Sequence, residues 1–490
     1  MRTASAGLIF RNTAVQVVAE LASKLFTVAF YVYMARKLGH DEFGDYFFAL
    51  SLALLTTVVA GFGTDGILVR EVARGGETLR GLFWNAIGIK LAFGAVGVGA
   101  ALAVAVVGDY GTEVRVAVVL LASASVLELV SKTVGATFQA FDDLGPPAVA
   151  LFLQRSLTAT VGITALAIGT GVVGVAAIYL GGAFAALAYS GRALSRRGIR
   201  PPIRLSSERA RWLILASLPI GLAGIFSTIV FRVDATILSL IKGNAEVGLY
   251  GAAYQLLETT LFLSYAFVAA VLPTLARLDR GTRPSLGEGY ETTLKVITAL
   301  LLPLGTAFVL FAEPLTRLFY GAGYADAASA VRLLGGAAAL YGISYLSSYV
   351  LILQDRARIM AWVTVAVAVE NVGLNLLVVP AYSFDGAAAV TSISELTFAA
   401  ALTGLALRQT GPVSVSRIAL GPASACAGMG LVALAIGPNL VGLAVAAVAY
   451  LVVLLLVERR LHPDDVRMAI DSARHRRAPL VEKTAAGSSP

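Results

Sequence analysis

Eleven ionisable side chains stand inside stretches of this 490-residue chain that are otherwise apolar: Glu20, Lys24, Lys90, Glu128, Lys132, Arg155, Arg232, Asp234, Glu258, Glu370 and Glu395. Arginine and lysine in such surroundings can hold an anionic group, most plausibly phosphate, and a carboxylate can exchange a proton or a cation. A charge at the centre of a bilayer costs about 3 kcal/mol. Facing lipid, all eleven together would cost roughly 30 kcal/mol, more than the net stability of about 5–15 kcal/mol of a typical folded protein. These groups must therefore point to one another or to an aqueous interior.

Spacing sorts them. Glu20/Lys24 and Glu128/Lys132 are each i, i+4 with the acid first, so both members reach each other on one helix face. Glu128/Lys132 reads as an internally satisfied pair near the cytoplasmic rim, whereas Glu20/Lys24, mid-membrane, reads equally as a pair or as part of a site. Arg155, Arg232 and Lys90 have no acidic residue three or four positions away, and Asp234, two residues from Arg232, points to a different face. Glu258, Glu370 and Glu395 have no counter-charge on their own helices. Two readings stay open: interhelical salt bridges such as Arg232 with Glu258, or a ligand site. On the second, Lys24, Lys90, Arg155 and Arg232 are the substrate-binding candidates, and Glu20, Asp234, Glu258, Glu370 and Glu395 are candidates for ion coupling or cavity pairing. No metal or catalytic site is expected: there are one cysteine, Cys426, and three scattered histidines, His40, His462 and His475. Phosphate-loop, zinc-protease and nucleophile-elbow motifs do not occur.

The elements that must position these residues are membrane spans. Hydrophobic residues make up 58% of the chain and charged residues 14%, against about 25% charged in a soluble domain. A water-soluble enzyme is thereby excluded. Apolar stretches long enough to cross a bilayer lie near 13–34, 45–63, 82–107, 115–138, 147–168, 171–192, 211–241, 247–275, 289–311, 328–352, 358–379, 386–408, 417–437 and 439–457, about 14 in all. Glu20 and Lys24 interrupt the first, which reads as a retained span and not a signal peptide. An even number of crossings puts both termini on one side. Loops on that side would carry about 26 basic residues and the opposite loops about five, Arg36, Lys37, Arg115, Lys242 and Arg317. That bias predicts cytoplasmic termini in a prokaryotic plasma (inner) membrane and accounts for the net charge of +8 without nucleic acid. Pro219 with Gly221 and Gly224, Pro273, and Pro303 with Gly305 are candidate bending points.

A repeat organises the spans. Gly39-His-Asp-Glu42-Phe-Gly44-Asp-Tyr46 and Gly243-Asn-Ala-Glu246-Val-Gly248-Leu-Tyr250 share the pattern Gly-x-x-Glu-x-Gly-x-Tyr at an offset of 204 residues. Six spans separate the copies, so both face the same way. The expected architecture is an all-α integral membrane protein with two six-helix bundles, 1–200 and 205–409, related by a pseudo-two-fold axis along the membrane normal. Two more helices (417–457) and a polar cytoplasmic tail (458–490) follow. Parallel halves of this kind put a substrate path at their interface and suit alternating access by rocking.

The opening Leu8-Ile-Phe-Arg-Asn-Thr13, the turn Ala35-Arg-Lys-Leu-Gly39 … Glu42-Phe-Gly44, and Leu218-Pro-Ile-Gly-Leu … Phe231-Arg-Val-Asp234 … Val247-Gly-Leu-Tyr250 resemble the polysaccharide flippases of the multidrug/oligosaccharidyl-lipid/polysaccharide exporter superfamily. The resemblance implies a transporter, not an enzyme, that moves a lipid-diphosphate-linked oligosaccharide repeat unit from the cytoplasmic to the outer leaflet for surface polysaccharide biosynthesis. It implies no cofactor, with H+ or Na+ as the candidate coupling ion. A polyprenyl-diphosphate-linked saccharide would be its substrate, with membrane lipids, polysaccharide polymerase and glycosyltransferases as candidate partners. Carried over by position, Lys24 and Arg232 are the basic residues that would face the diphosphate and sugar. Two alternatives remain: a multidrug or organic-cation antiporter of the same superfamily using Glu20, Asp234 or Glu258, and a membrane glycosyltransferase or ligase, which the short outer loops disfavour.

Overall fold

The computed structural model describes residues 6–74, 77–141, 143–199, 201–279 and 283–463. Arg2, Arg200, Arg280 and the tail beyond residue 463, all counted in the charge bias, lie outside the described residues. The described residues form helices α1 (Ala6–Gly61), α2 (Thr64–Arg74), α3 (Glu77–Val107), α4 (Thr112–Ala140), α5 (Gly145–Ala167), α6 (Val172–Arg196), α7 (Ser207–Lys242), α8 (Asn244–Asp279), α9 (Arg283–Tyr320), α10 (Ala327–Leu353), α11 (Ala357–Thr410), α12 (Val415–Ile436) and α13 (Leu440–Leu461). No strand occurs among them. Twelve of these helices are long and apolar enough to cross a bilayer.

Two of the twelve are double. α1 breaks at Gly39 (φ 77°) and α11 at Ser383 (φ 50°, ψ −134°), so each crosses twice and the chain makes the fourteen passes expected from its hydropathy. Gly39 opens the first repeat motif, and its left-handed backbone is one that a side chain would resist. Pro273 and Pro303 remain inside α8 and α9 without a break; the irregular residue of α9 is Phe311.

Connections alternate between the two ends. At the basic end, Arg197 pairs with Asp143 at 2.6 Å, and Gln354 donates to Asp279 at 2.8 Å. Between α6 and α7 the chain is clamped to α3: Trp84 Nε1 donates to the Pro201 carbonyl (2.8 Å), and Asn85 bonds both the Arg204 carbonyl (3.1 Å) and the Ser206 amide (3.0 Å). Ser206 then caps α7 by accepting from the Arg209 amide. α2, a short amphipathic helix that hydropathy alone reads as a loop, lies against α3, α4 and α7.

Helices α1 and α3–α6 pack on one another, as do α7–α11, and α12 with α13 lies outside against α9. α1 also packs along α7 and α8, joining the two groups. Their tightest meeting is at the end opposite the basic one. A Cβ placed on Gly44 would overlap the Asn244 carbonyl, and one on Gly248 would overlap the His40 carbonyl. The same 204-residue offset exchanges these two contacts, so each motif's second glycine receives the other motif's chain. Asn244 also donates to Asp45, Arg36 Nε to the Phe319 carbonyl (2.7 Å), and Tyr324 to the Ala35 carbonyl (3.0 Å). This end is closed.

Candidate functional site

Arg155 projects from α5 toward α4 and α6. Its Nη1 donates to the Tyr179 hydroxyl at 2.8 Å, and Nη2 lies 3.7 Å from Glu128 Oε2. The guanidinium carbon is 5.6 Å from the Tyr179 ring centre, within the range of a cation–π contact. Gln154, one residue before Arg155, donates its amide to Glu128. Glu128 is thus held by α5, and the expected Glu128/Lys132 pair does not form. Lys132 instead stays exposed beside a cavity.

The second group of helices carries the same three residue types. Arg232 of α7 pairs with Glu258 of α8, and its guanidinium carbon lies 5.6 Å from the Tyr254 ring centre. Tyr254 in turn donates to the Phe231 carbonyl at 3.0 Å. Tyr31 of α1 is buried against Tyr46, their ring centres 6.2 Å apart. The two groups of helices each hold an arginine–carboxylate–tyrosine cluster. They are not related by the 204-residue offset, which would take Arg232 to Val28.

A cavity of about 460 Å³ opens onto the first cluster. Glu20, Asp65, Glu128, Lys132, Gln154 and Arg155 give it its polar lining, and it extends to Gln139, Leu144 and Pro147 at the basic end. Lys90 neutralises Asp65 without entering the cavity. Its ammonium is fully buried and bonds Asp65 (2.6 and 2.7 Å), Thr133 Oγ1 (2.6 Å) and the Leu129 carbonyl (3.1 Å). All three ammonium hydrogens have acceptors, so Lys90 positions α2 and has no hydrogen left for a ligand. That corrects its place among the substrate-binding candidates.

The other candidates are spread out. Lys24 stands on an exposed face of α1, one turn from cavity-lining Glu20. Asp234 is buried, accepting from Tyr250, from the Ala235 amide (2.7 Å) and from Thr391 (3.3 Å), a knot tying α7 to α8 and α11. Glu395 accepts from Ser344, joining α11 to α10, and Glu370 accepts from Thr397 at 2.9 Å across the α11 break. These three carboxylates hold helices together, away from the cavity lining. The structure unites Glu20 and Arg155 at the cavity and pairs Arg232 with Glu258 beside Tyr254.

Sequence reasoning missed Asp65, Gln154, Tyr179 and Tyr254. Asp65 falls where hydropathy reads a loop, and no spacing rule links it to Lys90, 25 residues on. The tyrosines were legible only as apolar residues, although a phenol in a span needs a partner as much as a charge does.

The comparisons with known proteins come from both sequence and fold. The chain is 30% identical over 148 residues to the EPS I polysaccharide export inner membrane protein EpsE of Ralstonia solanacearum, covering 30% of this chain and about a third (34%) of that protein. It is 22% identical over 381 residues to the probable low-salt glycan biosynthesis flippase Agl15 of Haloferax volcanii, covering 74% of this chain and 76% of that one. Its fold matches the lipid II flippase MurJ in an inward closed conformation, with a TM-score of 0.76 at 15% identity, over 91% of this chain and 99% of that one. This is a multi-pass membrane protein, and its helices follow a transporter fold. A family model described as polysaccharide biosynthesis protein matches residues 9–279, more than half of the chain, which therefore belongs to that family.

Proposed function

We propose that the protein is a flippase, a transporter and not an enzyme, that moves a lipid-diphosphate-linked oligosaccharide repeat unit from the cytoplasmic to the outer leaflet for surface polysaccharide biosynthesis. The observation that carries this reading is the pair of arginine–carboxylate–tyrosine clusters, one in each group of helices, the first of them open to a cavity at the basic end. A diphosphate offers several charged oxygens, and each planar guanidinium can hold two of them bidentately. It would take Arg155 from Glu128 and Arg232 from Glu258. The two released carboxylates stay in the interior, so the added negative charge is offset only if Glu128 and Glu258 each take up a coupling proton or sodium ion.

The closed contacts at Gly44 and Gly248 and the cavity at the basic end support an inward-open arrangement. We read the basic end as cytoplasmic, with both termini there, in a prokaryotic plasma membrane. The 204-residue exchange of contacts supports two halves, 1–200 and 205–409, that rock about the seam. Polymerase and glycosyltransferases would act on either side of the transport step. The antiporter reading has less support, because two of its three carboxylates are engaged, Asp234 in the knot with Tyr250 and Glu258 by Arg232, and the third, Glu20, lines a cavity that also holds Arg155 and Lys132. An organic cation would have to displace a guanidinium. In a deletion strain complemented with Arg232→Ala, surface-glycan export is expected to stop while an immunoblot of membranes shows normal protein. Unimpaired export by that variant would remove Arg232 from the path.

A further inference from the structure

Five aromatic rings on α7, α8 and α10 form a continuous wall that the transport reading above does not use. Tyr341, Tyr345 and Tyr349 follow one another at i, i+4 and i+8 on α10 and so share one face, spanning about 12 Å along the helix. Tyr341 and Tyr345 are parallel to within 14° at 5.9 Å between ring centres, and Tyr345 meets Tyr349 edge-on at 5.1 Å. Tyr265 of α8 packs edge-on to both Tyr341 (5.8 Å) and Tyr345 (4.8 Å), and Phe231 of α7 closes the row against Tyr341 at 5.8 Å.

The hydroxyls form pairs: Tyr265 with Tyr341 at 2.7 Å and Tyr345 with Tyr349 at 3.3 Å. A hydroxyl–hydroxyl bond uses only one of the two hydrogens, so each pair retains donor and acceptor capacity for a ligand. Tyr265, Tyr345 and Tyr349 are not buried. The wall adjoins the second cluster: Phe231, whose ring closes the row against Tyr341, immediately precedes Arg232 on α7, and its carbonyl accepts from Tyr254.

We infer that this wall is the saccharide subsite: the sugar rings of the transported lipid lie on Tyr265, Tyr345 and Tyr349 while the arginines hold the diphosphate. A sugar ring has an apolar C–H face rimmed by hydroxyls, and a tyrosine offers the complement, a flat π-face with one polar tip. A polyprenyl chain would have no use for the four phenol hydroxyls. The division of labour follows from chemistry, with charge on α4, α5, α7 and the start of α8, and aromatic surface further along α8 and on α10. The inference rests on the flippase reading and names the part of the substrate that the second group of helices recognises.

The test compares undecaprenyl diphosphate carrying N-acetylglucosamine with undecaprenyl diphosphate alone, each titrated against the purified full-length protein in nanodiscs. The wild type is expected to bind the sugar-bearing lipid roughly tenfold more tightly, the effect of two ring contacts. Tyr345→Ala with Tyr349→Ala should abolish that ratio and leave binding of the bare diphosphate lipid unchanged, which also reports an intact fold. Tyr349→Ala alone, at the edge of the row, should lower the ratio and serves if the double variant fails to fold. Arg232→Gln should weaken both lipids alike. A ratio near one in the wild type, a ratio preserved in the tyrosine variants, or an equal loss for both lipids in those variants would overturn the inference. Failure of the wild type to bind either lipid would instead defeat the flippase reading on which it rests.

Discussion

Arginine survives in a hydrocarbon interior only with its hydrogens satisfied, and the two central arginines are satisfied by residues that a ligand can replace. Arg155 and Arg232 share carboxylates with neighbouring helices and each abuts a tyrosine ring. Lys90 shows the contrasting solution. It is enclosed by Asp65, Thr133 and the Leu129 carbonyl, with no exposed surface. Removing one member of such a buried pair strands the other. Asp65 is part-exposed at the cavity, so Lys90→Met is expected to destabilise the protein by only about 1–3 kcal/mol, and Lys90→Met combined with Asp65→Asn to recover most of that loss. Thermal unfolding in detergent measures both; equal melting of the single and double variants would show that the pair is not the reason.

Among the elements, α1 and α8 have the most to do. Each begins a span at a Gly-x-x-Glu-x-Gly-x-Tyr motif, and each motif's second glycine lets the other chain approach to backbone contact. No larger residue fits there, so the seam depends on two missing side chains. If transport requires the seam to part, tying it shut must stop transport. In a Cys426→Ser background, Asp45→Cys with Asn244→Cys joins two positions whose native side chains are already hydrogen-bonded. Oxidation should arrest glycan export in cells and reductant should restore it, with either single variant indifferent to both treatments. Export that continues through the disulfide would mean the seam does not open. α2 matters in a different way: its eleven residues do not cross the bilayer but bring Asp65 to the cavity lining and to Lys90.

For the whole molecule, fourteen passes put the α5–α6 connection and the α6–α7 connection at opposite ends. Gly169→Cys should react with a membrane-impermeant maleimide applied to intact cells, and Gly198→Cys only after the membrane is opened. The reverse labelling would invert the proposed orientation. The charge pattern also predicts that deleting the protein leaves susceptibility to cationic dyes unchanged, because Glu258 and Asp234 are held by Arg232, Tyr250 and Thr391, and Glu20 shares its cavity with Arg155 and Lys132. Clear hypersensitivity in a growth assay would favour the antiporter.

Hydropathy and the placement of arginine determined the crossings by themselves, including the two hidden inside the long helices α1 and α11, because a bilayer imposes one length on every span and one side on most positive loops. The repeat motif likewise marked Gly44 and Gly248 before any contact was known. Charge partners belonged to the tertiary structure. Helical spacing paired Glu128 with Lys132, but Arg155 on the next helix offers Glu128 a guanidinium and Lys132 turns to the cavity. Lys90 found Asp65 on an element too short and polar to register as a span. The tyrosine wall was invisible for the same reason: a period of four marks a helix face but not what stands opposite it. Local pattern reports what a segment buries, whereas which buried groups meet depends on how the helices pack, and only the packed molecule holds that information.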